Sequence, residues 1–296
     1  MINYLIAMGS LGLIYSLLAL GLNLQWGYTG LINFGLVAFY AIGAYTSTLL
    51  SIHTSLPLPF TIAAGVLVAG VLAYPIGKVS LRLKSDYLAI VTIGFAEVIR
   101  LLILNETWAT RGAIGITDVP MLFGSFKGDV RQVVFLLFAI AMVAGVYLFL
   151  QHLTRSPFGR TLQAIKANED AARALGKDAG SFKMWSLMIG AGISGLAGAI
   201  YAHYMRFVSP DQFMSDVTFY VWIGLIIGGS GKHLGALAGT FVLMLFLEGT
   251  RFMKDFLPGV DATKLAALRL MIVGLSLVIL LLFRPDGLMS RRKEAA

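Results

Sequence analysis

The chain has no cysteine. That excludes disulfides, thiolate metal sites and cysteine nucleophiles. It is also poor in charge. Only 13% of its 296 residues are Asp, Glu, Lys or Arg, against roughly 25% in a soluble domain. Acids are the scarcer sign, 15 against 23 Lys and Arg. So few acids at membrane depth argue against a proton-coupled carrier, whose relays use them. Four scattered histidines without close spacing make no metal site. No nucleophile–base constellation or catalytic acid pair is present, which argues against an enzyme. Gly229-Ser-Gly-Lys232-His233 looks like a phosphate loop and fails the motif. Ile226 stands where its first glycine belongs and His233 replaces Ser/Thr. ATP is therefore not expected on this chain by that route. No cleavable leader is evident, since Met1-Ile-Asn-Tyr carries no basic residue.

What is there is apolar surface. Hydrophobic residues make up 58% of the chain, and the mean hydropathy is +0.82. Long uncharged runs of about 18 or more residues read as membrane helices. They must be helical, because hydrocarbon offers backbone groups no outside partner. The expected fold is all-α: one polytopic membrane domain over 1–296, with about nine spans and a range of eight to ten. They fall near 4–24, 30–51, 58–78, 86–104, 131–152, 182–203, 216–230, 234–253 and 265–284.

The net charge of +8 fits cytoplasmic loops rather than nucleic-acid binding. Arg155, Arg160, Lys166, Arg173, Lys177 and Lys183 place the 153–183 loop in the cytoplasm, and Arg291, Arg292 and Lys293 place the C-terminus there. Lys78, Arg82 and Lys84 mark another inner turn, and the mixed-charge 105–130 loop lies outside. An odd span count puts the N-terminus outside too.

Three features carry functional expectations. The first is Arg155–Gly176, a polar helix former between apolar runs, within an outer frame of about 153–181. Pro157 suits a first helical turn, Gly176 a left-handed stop, and Leu162, Ile165 and Ala172 a modest apolar face. It reads either as a surface linker or as a coupling helix gripped by a nucleotide-binding subunit, with Gly159, Arg160, Ala164, Glu169, Asp170, Ala171, Ala172 and Gly176 at the contact. The second is the run from Leu22 to Gly35, which sets Asn23, Gln25, Thr29 and Asn33 among glycines. Polar groups at membrane depth are expensive unless paired or facing water, and glycines permit broken helices that hold polar solutes. Gln25, Trp26, Gly27, Thr29, Gly30, Asn33, Phe34, Gly35 and Phe39 are the candidate solute path; the alternative is an interfacial turn anchored by Trp26 and Tyr28. The third is Glu97/Arg100 and Glu248/Arg251, two i,i+3 pairs read as structural or gating ion pairs. Small residues from Gly190 to Ala202 read as close helix packing, and His203 as a helix-end residue. The glycines at 27–43 and 228–239, with the two Glu-x-x-Arg pairs, form a faint internal echo of the duplicated halves common in transporters.

Several stretches together resemble the permease subunits of bacterial branched-chain (hydrophobic) amino acid ABC importers, of the second of their two permease types. They are Gly30-Leu-Ile-Asn-Phe-Gly-Leu-Val-Ala-Phe-Tyr-Ala-Ile-Gly-Ala-Tyr45, Leu83 to Arg100, Gly159 to Gly176, Gly195 to Tyr204 with Val208-Ser-Pro210, and Phe283-Arg-Pro-Asp-Gly-Leu288. Two departures stand out. Asn33-Phe-Gly-Leu36 is more apolar than the usual Ser-Leu-Gly and polar residue, and Arg111 occupies a glycine position in Thr110-Arg-Gly-Ala-Ile-Gly115. The resemblance implies a type II importer-like bundle in the inner membrane. It implies a heterodimer with a similar permease, two cytoplasmic ATPases carrying ATP and Mg, and a periplasmic solute-binding protein. Related permeases serve neutral amino acids, urea or short amides. A sugar permease of the same superfamily or an ion-driven secondary transporter are the rival readings.

Overall fold

The computed structural model describes residues 2–249, apart from positions 82, 84, 125 and 127, together with isolated helical residues between 267 and 282. The expected span at 265–284 otherwise lies outside the described residues, as do Arg251, the basic tail and the Phe283–Leu288 motif.

The spans are helices, as the apolar runs require. They are α1 (Ile2–Leu22), α2 (Leu36–His53), α3 (Leu58–Ser80), α4 (Ser85–Asn105), α6 (Gly128–Arg155) and α9 (Ala179–Met205), with the shorter α10 (Ser215–Gly228) and α11 (His233–Gly249) completing the described bundle. Six helical stretches are long and apolar enough to cross a membrane, α1 counting with the π turn that extends it to Tyr28. Between α4 and α6 lies the four-residue α5 (Thr107–Thr110). Between α6 and α9 lie α7 (Pro157–Ala167) and α8 (Glu169–Ala174). The end carrying α7 and α8 is termed inner, the opposite end outer.

Three boundaries differ from expectation. The span at 30–51 starts helical only at Leu36, because residues 29–35 form an irregular reversal. The polar segment is two helices. Asn168 sits extended (φ −158°, ψ 107°) and its side chain accepts from the Ala171 amide, so it caps a new helix instead of continuing the old one. The outer loop is not wholly irregular: β1 (Ile116–Thr117) pairs antiparallel with β2 (Phe207–Val208).

The N-terminus lies at the outer end, where Asn3 donates to Asp129 at the start of α6 (2.7 Å). It is thus opposite α7–α8.

The core is the packing of α9 on α2 and α3. Small residues make it. A Cβ on Gly198 would collide with the Tyr40 carbonyl, one on Gly43 with the backbone at Gly195, and one on Gly65 would lie 2.8 Å from the Gly43 carbonyl. Backbones meet directly, which supplies van der Waals contact where lipid supplies no hydrophobic drive. At the outer end buried His203 ties three elements together: one ring nitrogen lies 2.8 Å from Ser47 Oγ, and the other donates to the Pro120 carbonyl at 2.7 Å.

Candidate functional site

The predicted solute-path residues converge near the inner end, around a broken helix. After Leu22 the chain widens into the π-helical turn Asn23–Tyr28. Such turns concentrate at functional positions. Gly30 then takes φ +79° and reverses the chain, a conformation glycine adopts without Cβ strain.

The side chains of Asn23, Gln25, Thr29 and Asn33 are all hydrogen-bonded. Gln25 Nε2 donates to the Leu187 carbonyl on α9 (3.1 Å), and its Oε1 accepts from Asn33 Nδ2 (2.9 Å). Asn33 Oδ1 accepts from the Gly35 amide (2.8 Å). Thr29 Oγ1 donates to Leu24 O (3.0 Å) and lies 2.7 Å from Ser186 Oγ. Asn23 Oδ1 accepts from the Gly231 amide (2.9 Å), while its Nδ2 lies 3.1 Å from His233 Nδ1. The two glycine-rich echoes therefore meet in space at the inner end. Each such bond, left half-made, would cost about 1–3 kcal/mol, so the turn is held as one piece.

Aromatic rings flank the turn, from buried Trp222 to exposed Phe219. Trp26 and Trp222 lie 4.6 Å apart, Phe34 stacks on Trp222 at 4.8 Å, and Phe219 follows at 5.4 Å from Phe34. Trp222 Nε1 donates to the Asn33 carbonyl (3.1 Å). One turn earlier on the same face of α10, Thr218 accepts from the Val37 amide (3.1 Å), satisfying an orphan donor at the start of α2. Gly35 lies against the α4 backbone at Thr92, whose hydroxyl accepts from the Phe34 amide (3.1 Å). Phe39 is buried, 5.5 Å from Phe95, and takes no part in this aromatic cluster.

The coupling candidates lie in α7 and α8. Leu162, Ile165 and Ala172 are buried as the apolar face demanded, and Phe158 packs 5.4 Å from Phe182 of α9. Gly159 is pressed against the Thr154 backbone. Arg160, Ala164, Asp170, Ala171 and Gly176 are exposed, and so is Leu175, at 82%. Gly176 takes φ +77° and ends α8. Glu169 bridges Arg173 (2.7 Å) and Lys183, tying α8 to α9. Just before α9, the Asp178 carboxyl accepts from the Ser181 hydroxyl and amide, which hold it below the usual carboxylate range.

Sequence reasoning missed Lys166 as a site residue. Its Nζ donates to the Gly27 carbonyl at 2.7 Å, directly joining α7 to the π turn. Partial withdrawal from water lowers its proton affinity below that of an ordinary lysine. In sequence it was one cation among six. Trp222 was missed too, because a lone Trp in an apolar run reads as a belt anchor.

The ion-pair expectation splits. Glu97 and Arg100 pair on α4, with Arg100 Nη2 2.5 Å from Glu97 Oε1. Glu248 lies at the outer end of α11, its carbonyl accepting from Tyr4, and its expected partner Arg251 is outside the described residues.

The arrangement is a helical membrane bundle with a two-helix polar segment, α7–α8, packed at its inner end. The family model for the permease component of branched-chain amino acid transport systems matches residues 4–281. The chain belongs to this family. Among relatives of this permease, the high-affinity branched-chain amino acid transport system permease LivM of Escherichia coli K12 is 32% identical, covering 95% of this chain and 68% of the relative. The probable LivM of Methanocaldococcus jannaschii is 25% identical, with 94% and 91% covered. The probable LivH of the same organism is 24% identical, with 77% and 74% covered. No solved structure matches the chain. The permease is thus a multi-pass membrane transport subunit and not an enzyme.

Proposed function

We propose that this permease carries branched-chain or related neutral amino acids across a bacterial inner membrane, C-terminus in the cytoplasm, in an importer driven by ATP on other subunits. Its partners are a second, homologous permease, two ATPases that hold ATP and Mg, and a periplasmic solute-binding protein. The observation that carries the reading is the family match across nearly the whole chain, with relatives of both the LivM and LivH kinds.

The geometry supports a route for coupling. The ATPase grips the exposed side of α7–α8 around Arg160, Ala164 and Leu175. Their buried side is fixed to α9 by Phe158, Phe182 and the Glu169–Lys183 bridge. Lys166 passes displacement to the Gly27 carbonyl, the Gln25–Asn33 bond passes it across the reversal, and the Trp222–Asn33 bond passes it to α10. The Trp26–Trp222–Phe34–Phe219 face then opens or closes toward solute. Only differential preference of the motor for two bundle states drives this; reversing a 1:99 population takes about 5.5 kcal/mol.

The test is co-purification from mild detergent, followed by leucine uptake in liposomes. An ATPase pair and a second permease should accompany the chain, with uptake requiring ATP. A chain recovered alone that still transports without ATP would be a secondary carrier. Gly176→Leu or Glu169→Lys should abolish uptake with normal membrane insertion; wild-type uptake in both removes the coupling assignment.

A further inference from the structure

Glu97 lies deep. It is eight residues short of Asn105, the outer end of α4, so about 12 Å inside at 1.5 Å per residue. Arg100 Nε donates to both its oxygens, at 3.1 and 3.0 Å. Even paired, the Glu97 side chain is 45% exposed. Charges at such depth face protein or water, not lipid. The side of α4 that carries them is therefore no lipid face. Gly94, one turn further in, opens the same side: an added Cβ meets nothing within 4 Å. Asp211, in the single turn of helix at Pro210–Phe213 that packs on α4, acts electrostatically on Arg100. About 8 Å further in along α4, Thr92 marks the level of Phe34, which packs on Phe219.

An α-amino acid carries an ammonium and a carboxylate on one carbon and an apolar side chain beyond them. A Glu–Arg pair one helical turn apart is its complement. The guanidinium fork suits a carboxylate, and the carboxylate of Glu97 suits an ammonium. Without solute the two residues neutralise each other, so neither is left as a lone charge in low dielectric. Resting on the importer reading above, we propose that Glu97 and Arg100 form a solute-binding site in the seam between this permease and its partner permease. They exchange their mutual ion pair for the α-ammonium and α-carboxylate of the passing amino acid. Its side chain lies inward, toward Phe34 and Phe219.

The cysteine-free chain makes the test clean. Gly94→Cys is assembled with its partners and exposed to a charged, membrane-impermeant methanethiosulfonate, with and without leucine-loaded binding protein. Labelling slowed at least fivefold by leucine, and not by ribose, is the expected result. Absent labelling in an assembled, transporting complex would mean a dry face, and labelling indifferent to leucine a watery face without a site. Either overturns this proposal and leaves the importer reading standing. Failure of the wild-type chain to assemble with an ATPase sinks both. As a second variant, the exchanged pair Glu97→Arg with Arg100→Glu keeps an ion pair. It should assemble normally yet lose uptake at least tenfold. Wild-type uptake by the exchanged pair would assign the residues to structure alone.

Discussion

Helices α9 and α4 both read as spans, yet they live in different surroundings. In α9, 67% of the apolar window is buried inside the subunit; in α4 the figure is 17%. The difference is not hydropathy, which is higher in α4, 2.1 against 1.4. It is side-chain size. Glycine and alanine recur through α9 and let α2 and α3 approach to backbone contact, whereas α4 carries Ile90, Val98, Leu101 and Leu102 outward. In a membrane, mean hydropathy reports that a helix spans, and small-residue spacing reports where it packs. The charged pair on the less enclosed helix then reports which outward face is not lipid.

The strongest way to break this contrast is a matched pair of substitutions. Gly198→Leu drives a side chain into the Tyr40 carbonyl and should cost about 3 kcal/mol or more, removing folded subunit from the membrane. Gly94→Leu meets open space and should leave its amount within about twofold. Equal loss in fluorescence-detected gel filtration would erase the distinction. Next in size is the tether from the π turn to α9. Gln25→Leu strands the Leu187 carbonyl and Asn33 Nδ2 at about 1–3 kcal/mol, read as a lower melting temperature in detergent. Lys166→Met removes the bond to Gly27 while keeping the stem of the side chain. ATPases should still co-purify, with uptake reduced several-fold; unchanged uptake would show that α7 reaches the bundle by another route. The smallest effect is expected beyond the outer end of α4. Arg111 holds a left-handed conformation, φ 60°, which glycine adopts without Cβ strain. Arg111→Gly should stabilise by about 1 kcal/mol, measured by thermal unfolding.

Much of the fold was legible because spans need only length and apolarity. Pro157 and Gly176 marked the ends of the polar segment, and the small residues of 190–202 marked the helix on which α2 and α3 pack. The break at Asn168 was not legible by summed propensity. Asn168-Glu-Asp is both tolerable within a helix and a good start for one, with its acids in the first turn; only the buried seats of Ile165 and Ala172 decide between them. At the candidate site, the cost of buried polar groups drew attention to Gln25, Thr29 and Asn33, which the structure buries and bonds. Their partners Leu187 O, Ser186 and Trp222 lie more than 150 residues away, and no local pattern names them.

The wide turn at Asn23–Tyr28 has an evolutionary consequence. A π turn closes each hydrogen-bonded ring with one residue more than an α turn, so it amounts to a single inserted residue that the fold has kept. Deleting one residue here would let α1 run on regularly. It would also rotate everything after the deletion by about 100° about the helix axis, carrying Trp26 away from Trp222 and the Gly27 carbonyl away from Lys166. Substitutions can be absorbed along this stretch one at a time. A change of length cannot, so lineages descending from this chain should vary in the letters of this turn and not in their number.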